Sequence, residues 1–322
     1  MAVLTAITAD EMRALLAAHG LGPPEAIEGI PGGSVNSNFA VEVAGTRLFL
    51  RIYEEQDLLG AKRETSMVER LARAGVPTPA PLRRADGGLV TVIRGKAAAL
   101  FPWRDGEMQC QARVSPEQAR RVGEALAGIH VAGAAEQAGA GRFRFEDLQA
   151  RLDRIVASRD PRFVAVASSL RGALEQAHAS RARGLPSGLI HGDLFRDNVL
   201  WDAQGRIAAL LDFESASHGT HAYDLMVTVL AWCVGDDLDT ELARAMREGY
   251  ERVRPLQDSE RHALWAEGCF ASLRFTITRI TDYALRSGAE GARVVKDWQR
   301  FMKRFERLQA LGIKGVREVL GA

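Results

Sequence analysis

The stretch Ile190-His191-Gly192-Asp193-Leu194-Phe195-Arg196-Asp197-Asn198-Val199-Leu200 constrains this chain more than any other. Apolar residues lead in, a tight polar core follows, and apolar residues lead out. That is the pattern of a loop slung between two strands. Next come Val199-Leu200-Trp201, an Asp202-Ala203-Gln204-Gly205 turn and the apolar run Ile207 to Leu211, which together read as a β-hairpin. A hairpin there brings Asn198 and Asp212 together at its open end, with Asp193 just upstream. Two carboxylates and an amide at one spot are what Mg²⁺-assisted phosphoryl transfer needs. Mg²⁺ takes hard oxygen ligands, few of them from protein, and an attacking hydroxyl needs an acceptor for its proton. Singly, each residue has an ordinary role in a turn or at a strand end; turn-making does not explain the three together. Asp197 and Glu214 fit none of these slots and read as structural, and His191 reads as a packed loop residue.

At 322 residues the chain is long enough for two lobes with cores of their own. A net charge of +1 gives no electrostatic case for nucleic acid or an anionic membrane as partner. The longest apolar stretch, Leu225 to Val234, is far short of the ~20 residues that span a bilayer. The three cysteines, Cys110, Cys233 and Cys269, are too scattered for a metal knuckle or a disulfide framework. The expectation is a protein of a reducing compartment, cytoplasmic, as a monomer or homodimer.

In chain order, Thr8-Ala9-Asp10-Glu11 is a capping box that opens an amphipathic helix ended by Gly20. A Gly/Ser/Asn-rich turn, Pro31 to Asn38, follows a short strand near Ala26 to Ile30. Such a turn either closes a plain hairpin or lays backbone N–H groups over phosphates. Alternation in Arg47 to Tyr53 puts Leu48, Leu50 and Ile52 on one face of a strand and Arg47, Phe49, Arg51 and Tyr53 on the other. The helix expected over Ala61 to Ala74 carries Glu64 on its apolar side with Met67, Val68 and Leu71. A buried carboxylate needs a cation, and Arg51 on the preceding strand is the best candidate. Such a strand-to-helix pair positions nucleotide phosphates in kinases. Strands at Leu89 to Ile93 and Ala97 to Phe101 complete the first lobe, and Phe101 to Gly106 reads as the linker, a favoured neighbourhood for ligands. The rest is mainly helical, opened by the capping box Ser115-Pro116-Glu117-Gln118. Tyr223-Asp224-Leu225 starts a helix apolar all round, with Asp224 expected as its N-cap.

These residues resemble the aminoglycoside phosphotransferase superfamily, through the H-G-D-x-x-x-x-N stretch at His191 to Asn198 followed by Asp212-Phe213. Within it the chain is most similar to the homoserine kinase branch, on Gly33 to Phe39, Gly95 to Leu100 and His191 to Leu200. The resemblance implies an α+β, bilobal, protein-kinase-like fold, with a small antiparallel-sheet lobe (1–103) and a larger, mostly helical lobe (104–322). It also implies ATP and Mg²⁺ as cofactors and a small amino alcohol, homoserine or similar, as acceptor. Asp193 is implied as the catalytic base or hydroxyl-positioning carboxylate, and Asn198 and Asp212 as metal ligands. Ser34, Asn36, Ser37 and Asn38 cover the phosphates, Glu64 is the small-lobe helix glutamate, and the backbone near Phe101 meets adenine. Where most members carry lysine, this chain has Arg51, a planar fork in place of a compact ammonium.

For a zwitterionic acceptor, Arg196 or Arg279 is a candidate for the carboxylate and Asp282 for the ammonium; Arg279 and Asp282 are equally placed to pair with each other. Choline, ethanolamine, methylthioribose or an aminoglycoside would keep the chemistry and change the acceptor. A nucleotide-binding pseudokinase would keep only the fold.

Overall fold

The computed structural model describes residues 4–31, 35–286 and 296–322. Ser34, one of the expected phosphate-covering residues, lies outside the described residues. The chain divides into two compact units. The first runs to Gly106 and takes in Ala208–Leu211, and the second holds Glu107–Ile207 and continues from Asp212.

The first unit opens with helix α1 (Ala9–Ala18), capped as its sequence predicts. Thr8 Oγ1 accepts the Glu11 N–H, and the Glu11 carboxylate accepts the Thr8 N–H. Strands β1 (Ala26–Gly29), β2 (Ser37–Val43) and β3 (Thr46–Ile52) follow, then helix α2 (Leu58–Arg73) and strands β4 (Thr91–Ile93) and β5 (Lys96–Pro102). The five strands form an antiparallel sheet in the order β1-β2-β3-β5-β4. Two of its hairpins turn on Ala44-Gly45 and Arg94-Gly95, with positive φ at both residues of each pair. This mirror-image turn suits the twist of the flanking strands, and glycine supplies half of it without strain. The alternation of β3 holds. Leu48, Leu50 and Ile52 pack in one cluster with Met12, Leu15 and Leu16 of α1. On the opposite face Tyr53, Ala97 and Ala99 pack with Ala61 of α2. The sheet is thus covered by one helix on each face. α2 starts earlier than its apolar stripe implies, because Asp57 caps it by accepting the Gly60 N–H. Met67 is only half-buried, and Glu64 and Thr65 take the inner face beside Val68.

The second unit begins with a short strand, β6 (Glu107–Met108), then helices α3 (Pro116–Ala132), α4 (Phe145–Ala157) and α5 (Pro161–Ala179). Strand β7 (Ser187–Ile190) leads into the central loop. β8 (Val199–Trp201) and β9 (Ile207–Leu210) form the expected hairpin, with β6 on its edge in the order β6-β8-β9. Strand β10 (Ser217–Thr220) pairs antiparallel with β7. Helices α6 (His221–Trp232), α7 (Thr240–Val253), α8 (Asp258–Asp282) and α9 (Gln299–Leu320) complete it. α6 is buried along its whole length, as its all-round apolar sequence requires.

Helices α3 and α7 meet through a reciprocal pair of glycines. A Cβ at Gly123 of α3 would lie 2.0 Å from the Met246 carbonyl of α7, and a Cβ at Gly249 of α7 would lie 2.0 Å from the Arg120 carbonyl of α3. Only backbone fits on backbone there. This close approach fixes α3, and with it His130, against the helix that carries Tyr250.

Candidate active site

β7 delivers the chain into the loop at His191, which has no exposed surface. Gly192 follows with φ +73°, and a Cβ there would meet the Ser215 carbonyl at 2.9 Å. Both conditions demand glycine. The loop is then tied at nearly every peptide. Asp224 Oδ2 accepts the His191 N–H and Asp224 Oδ1 the Gly192 N–H, both at 2.7 Å. Arg274 Nη1 donates to the Gly192 carbonyl at 2.8 Å. Asn198 Nδ2 donates to the Asp193 carbonyl at 2.8 Å, and Trp232 Nε1 to the Leu194 carbonyl at 2.9 Å. Arg196 Nη1 donates to the Ala231 carbonyl and to Gln111. A reacting group on such a loop needs no reorganisation at the moment of reaction.

Asp224 is therefore not the N-cap that its position suggests. Thr220 occupies that position. Asp224 lies inside the first turn of α6, fully buried, and its carboxylate also takes His130 Nε2 at 3.0 Å. His130 Nδ1 in turn meets the Tyr250 hydroxyl at 2.7 Å. Burial alone would raise the Asp224 pKa. The His130 hydrogen bond, the nearby imidazoles and the Gly192 N–H outweigh it and hold the group below the usual carboxylate range.

Asp193 is shifted the other way. Desolvation raises its pKa and the Asp212 carboxylate adds to the rise, against the opposing charges of Arg274 and Lys296. Its side chain keeps 30% of its exposure, so the carboxylate is crowded yet still reachable. Arg274 Nη1 is 3.8 Å from Asp193 Oδ1, and its guanidinium is held between the rings of Phe143 at 3.9 Å and Phe275 at 3.8 Å. A buried cation so placed keeps Asp193 ionised. Replacing Arg274 by methionine should therefore move the acidic limb of the kcat/KM–pH profile to higher pH, by about one unit. An unmoved limb would show that the arginine only packs.

Asp212 ends the hairpin with φ 62° and ψ 70°, a left-handed conformation that few residues other than glycine adopt. Such strain is held in place by the structure around it and marks sites where side-chain direction matters. The hairpin thus brings Asp212 within electrostatic range of Asp193, and Asn198 is bonded to the same loop.

In the first unit Arg51 Nη1 is 3.9 Å from Glu64 Oε1, and both side chains are largely buried. The Tyr53 hydroxyl donates to the same glutamate oxygen at 3.4 Å. Ser37 is committed elsewhere: its Oγ accepts the Leu4 and Thr5 N–H groups and donates to Glu54. Asn36 Oδ1 accepts the Glu54 N–H, and Asn38 stands opposite Arg51 in the sheet. Phe101 packs its ring against Phe49. Of the acceptor candidates, Asp282 pairs with Arg151 at 2.5 Å, and Arg279 Nη1 donates to the Asp297 carbonyl at 2.7 Å.

A family model described as the phosphotransferase enzyme family matches residues 26–256. The chain belongs to the phosphotransferase enzyme family. A homoserine kinase of Caulobacter sp. (strain K31) is 35% identical over 294 residues, 88% of this chain and 89% of that one. A homoserine kinase of Rhizobium etli (strain CIAT 652) is 33% identical over 307 residues, 92% of each chain. Among solved structures, amicoumacin kinase in complex with AMP-PNP, Ca²⁺ and Ami superposes with a TM-score of 0.70 at 18% identity, over 94% of this chain and 95% of that one. Spectinomycin phosphotransferase superposes with a TM-score of 0.67 at 14% identity, over 99% of both chains. The fold is that of the protein-kinase-like phosphotransferases, and this phosphotransferase is an ATP-dependent small-molecule kinase. No helix among the described residues is long and apolar enough to cross a membrane.

The supports that composition and motif do not reveal in this phosphotransferase are Asp224, His130, Trp232 and Arg274. The one available signal is a lone carboxylate in an otherwise apolar helix. A buried charge has to be paired, and the groups that pair with Asp224 come from other parts of the chain.

Proposed function

We propose that this phosphotransferase moves the γ-phosphoryl group of ATP onto the side-chain hydroxyl of L-homoserine, with Mg²⁺. The observation that carries the chemistry is Asp193, a reachable carboxylate on a loop whose neighbouring peptides are hydrogen-bonded to Asp224, Arg274, Asn198 and Trp232. The choice of homoserine rests on relatives of that name that align over most of the chain. Asp193 accepts the proton as the hydroxyl oxygen bonds to the γ-phosphorus, while the bond from phosphorus to the β,γ-bridging oxygen breaks and ADP leaves. The raised pKa of Asp193 makes it a better proton acceptor than an ordinary carboxylate.

The donor set suits Mg²⁺. Asp212 offers a carboxylate, and Asn198 has its amide nitrogen committed to the Asp193 carbonyl, so its Oδ1 is the atom left to offer. Among the described residues no group of three or more His, Cys, Asp and Glu side chains is placed to hold a metal. Two protein oxygens with phosphate and water completing the shell is the usual Mg²⁺ arrangement. When bound, the ion neutralises the phosphate oxygens. Glu64 holds Arg51 for the phosphates, with Asn36, Ser37 and Asn38 over them through backbone N–H groups. Phe101 marks the adenine contact. Arg196 and Arg279 serve the acceptor carboxylate, and Asp282, already paired with Arg151, serves the ammonium from that pair.

ADP release over a panel of homoserine, choline, ethanolamine, methylthioribose and kanamycin-like acceptors tests this. Homoserine should exceed the others in kcat/KM by at least about 100-fold. No response to homoserine beside a strong response to another acceptor overturns the assignment.

A further inference from the structure

Two guanidinium groups of the second unit lie over one ring, two more lie within electrostatic range of them, and among the described residues none of the four forms a salt bridge with a carboxylate. Arg279 lies over the Phe301 ring at 4.5 Å and Arg304 over the same ring at 4.2 Å. Phe301 itself is fully buried. Arg279, Arg196 and Arg300 all act electrostatically on Arg304. The nearby carboxylates are turned to other tasks. Asp197 faces Lys296 at 4.0 Å, and Asp297 Oδ1 accepts the Gln299 N–H. The bonds that Arg196 and Arg279 make go to neutral oxygens, the Gln111 amide with the Ala231 carbonyl and the Asp297 carbonyl. Arg304 makes no hydrogen bond or ion pair among the described residues; its guanidinium rests over the phenyl ring.

Like charges held together at partial burial are unfavourable unless an anion joins them. Burial and then the three neighbouring guanidiniums press the Arg304 pKa down to about 9, and burial presses that of Arg279 to about 10. The cluster is also near the transfer chemistry. The Asp193 charge acts on Arg279, and Arg196 belongs to the same loop as Asp193. An amino-acid acceptor whose hydroxyl meets Asp193 carries its carboxylate only a few bonds away. A planar carboxylate suits a guanidinium fork.

We propose that Arg304 and Arg300 join Arg279 and Arg196 in the subsite for the acceptor's α-carboxylate, and that Arg304 selects a hydroxy amino acid over the amino alcohol that lacks the carboxylate. This rests on the assignment of an amino-acid acceptor above. The cluster also disfavours cationic acceptors such as choline. Arg304 remains cationic at neutral pH and acts on the acceptor, not on the proton transfer.

The test compares wild type with R304Q and R304K on homoserine and on 3-aminopropan-1-ol, which is homoserine without its carboxylate. It adds equilibrium binding of L-2-aminobutyrate, which has the carboxylate and no hydroxyl. R304Q should raise the KM for homoserine by about 30-fold or more with kcat within about threefold. The ratio of homoserine to 3-aminopropan-1-ol efficiency should fall by the same factor, and the L-2-aminobutyrate Kd should rise with it. R304K should recover part of the loss. The R304Q melting temperature should equal or exceed that of wild type, because a like-charge repulsion has been removed. A homoserine KM that does not move, an equal loss on both acceptors, a rise in the KM for ATP instead, or a marked fall in melting temperature overturns the subsite. If wild type ignores homoserine, the functional assignment fails by itself. The subsite then stands if wild type binds L-2-aminobutyrate and R304Q does not, and falls if both bind it alike or neither binds.

Discussion

Asp193→Asn is expected to lower kcat by about three orders of magnitude while the protein stays folded and still binds ATP. The size follows from the loss of a positioned proton acceptor, which contributes about 10²–10⁴ in rate. Asparagine keeps the shape and cannot take the proton. The loop does not depend on this carboxylate for its form. Gly192 is held at its N–H by Asp224 and at its carbonyl by Arg274, and the Asp193 carbonyl is held by Asn198. The carboxylate itself is strained electrostatically, since desolvation and Asp212 both raise its pKa. Removing it should leave the melting temperature unchanged or slightly higher, the usual relation between a functional charge and stability. Single-turnover kinetics with homoserine and calorimetric titration of ATP check the two halves. Turnover within tenfold of wild type would show that Asp193 is not the base.

How much of this was legible in the sequence depended on whether the controlling interaction was local. The capping boxes at Thr8 and Ser115, the alternation of β3 and the hairpin after Asn198 are all set by neighbours in sequence. Each formed as its pattern predicts. Helical spacing alone puts Glu64 on the inner face of α2, and its cation, Arg51, stands on the preceding strand. Spacing failed where the partner is distant. Asp224 looks like a helix cap because it stands among the first residues of a helix. Its partners, His130 and the His191 and Gly192 peptides, come from other elements. Asp282 looked placed to pair with Arg279 one turn away, whereas its partner is Arg151 on α4. Ser37 illustrates the same limit from the other side. The turn composition marks it for phosphate, yet its hydroxyl is used to anchor Leu4, Thr5 and Glu54. The arginine cluster around Phe301 was invisible as a cluster, because Arg196, Arg279 and Arg304 stand on three separate elements.

Asp224→Ala should be the most destabilising of the substitutions considered, at about 3–5 kcal/mol, the range for breaking a buried, charge-assisted network. The change strands two backbone N–H groups, at His191 and Gly192, and leaves His130 without the carboxylate on which its ring is aligned. Nothing at this depth replaces them, since Asp224 has no exposed surface. With a melting-temperature response of about 2–4 °C per kcal/mol for a chain of this size, the fall should be about 10 °C. Catalysis should suffer in the molecules that remain folded, because the peptides before Asp193 lose their fixed direction. Asp224→Asn should fall between, since an amide oxygen can accept only one of the two N–H groups and its own N–H₂ opposes the other. The pH dependence separates this account from simple cavity formation. The Asp224 pKa is lowered on folding, so its stabilising contribution is fully present above the unfolded carboxylate value of about 4. It is lost only as pH falls through the lower folded value. The stability gap between wild type and Asp224→Ala, read from denaturant unfolding at a series of pH values, should therefore be flat from neutral pH to about 5 and narrow below that. A gap independent of pH down to strong acid would mean that lost packing, rather than the buried carboxylate, sets the cost.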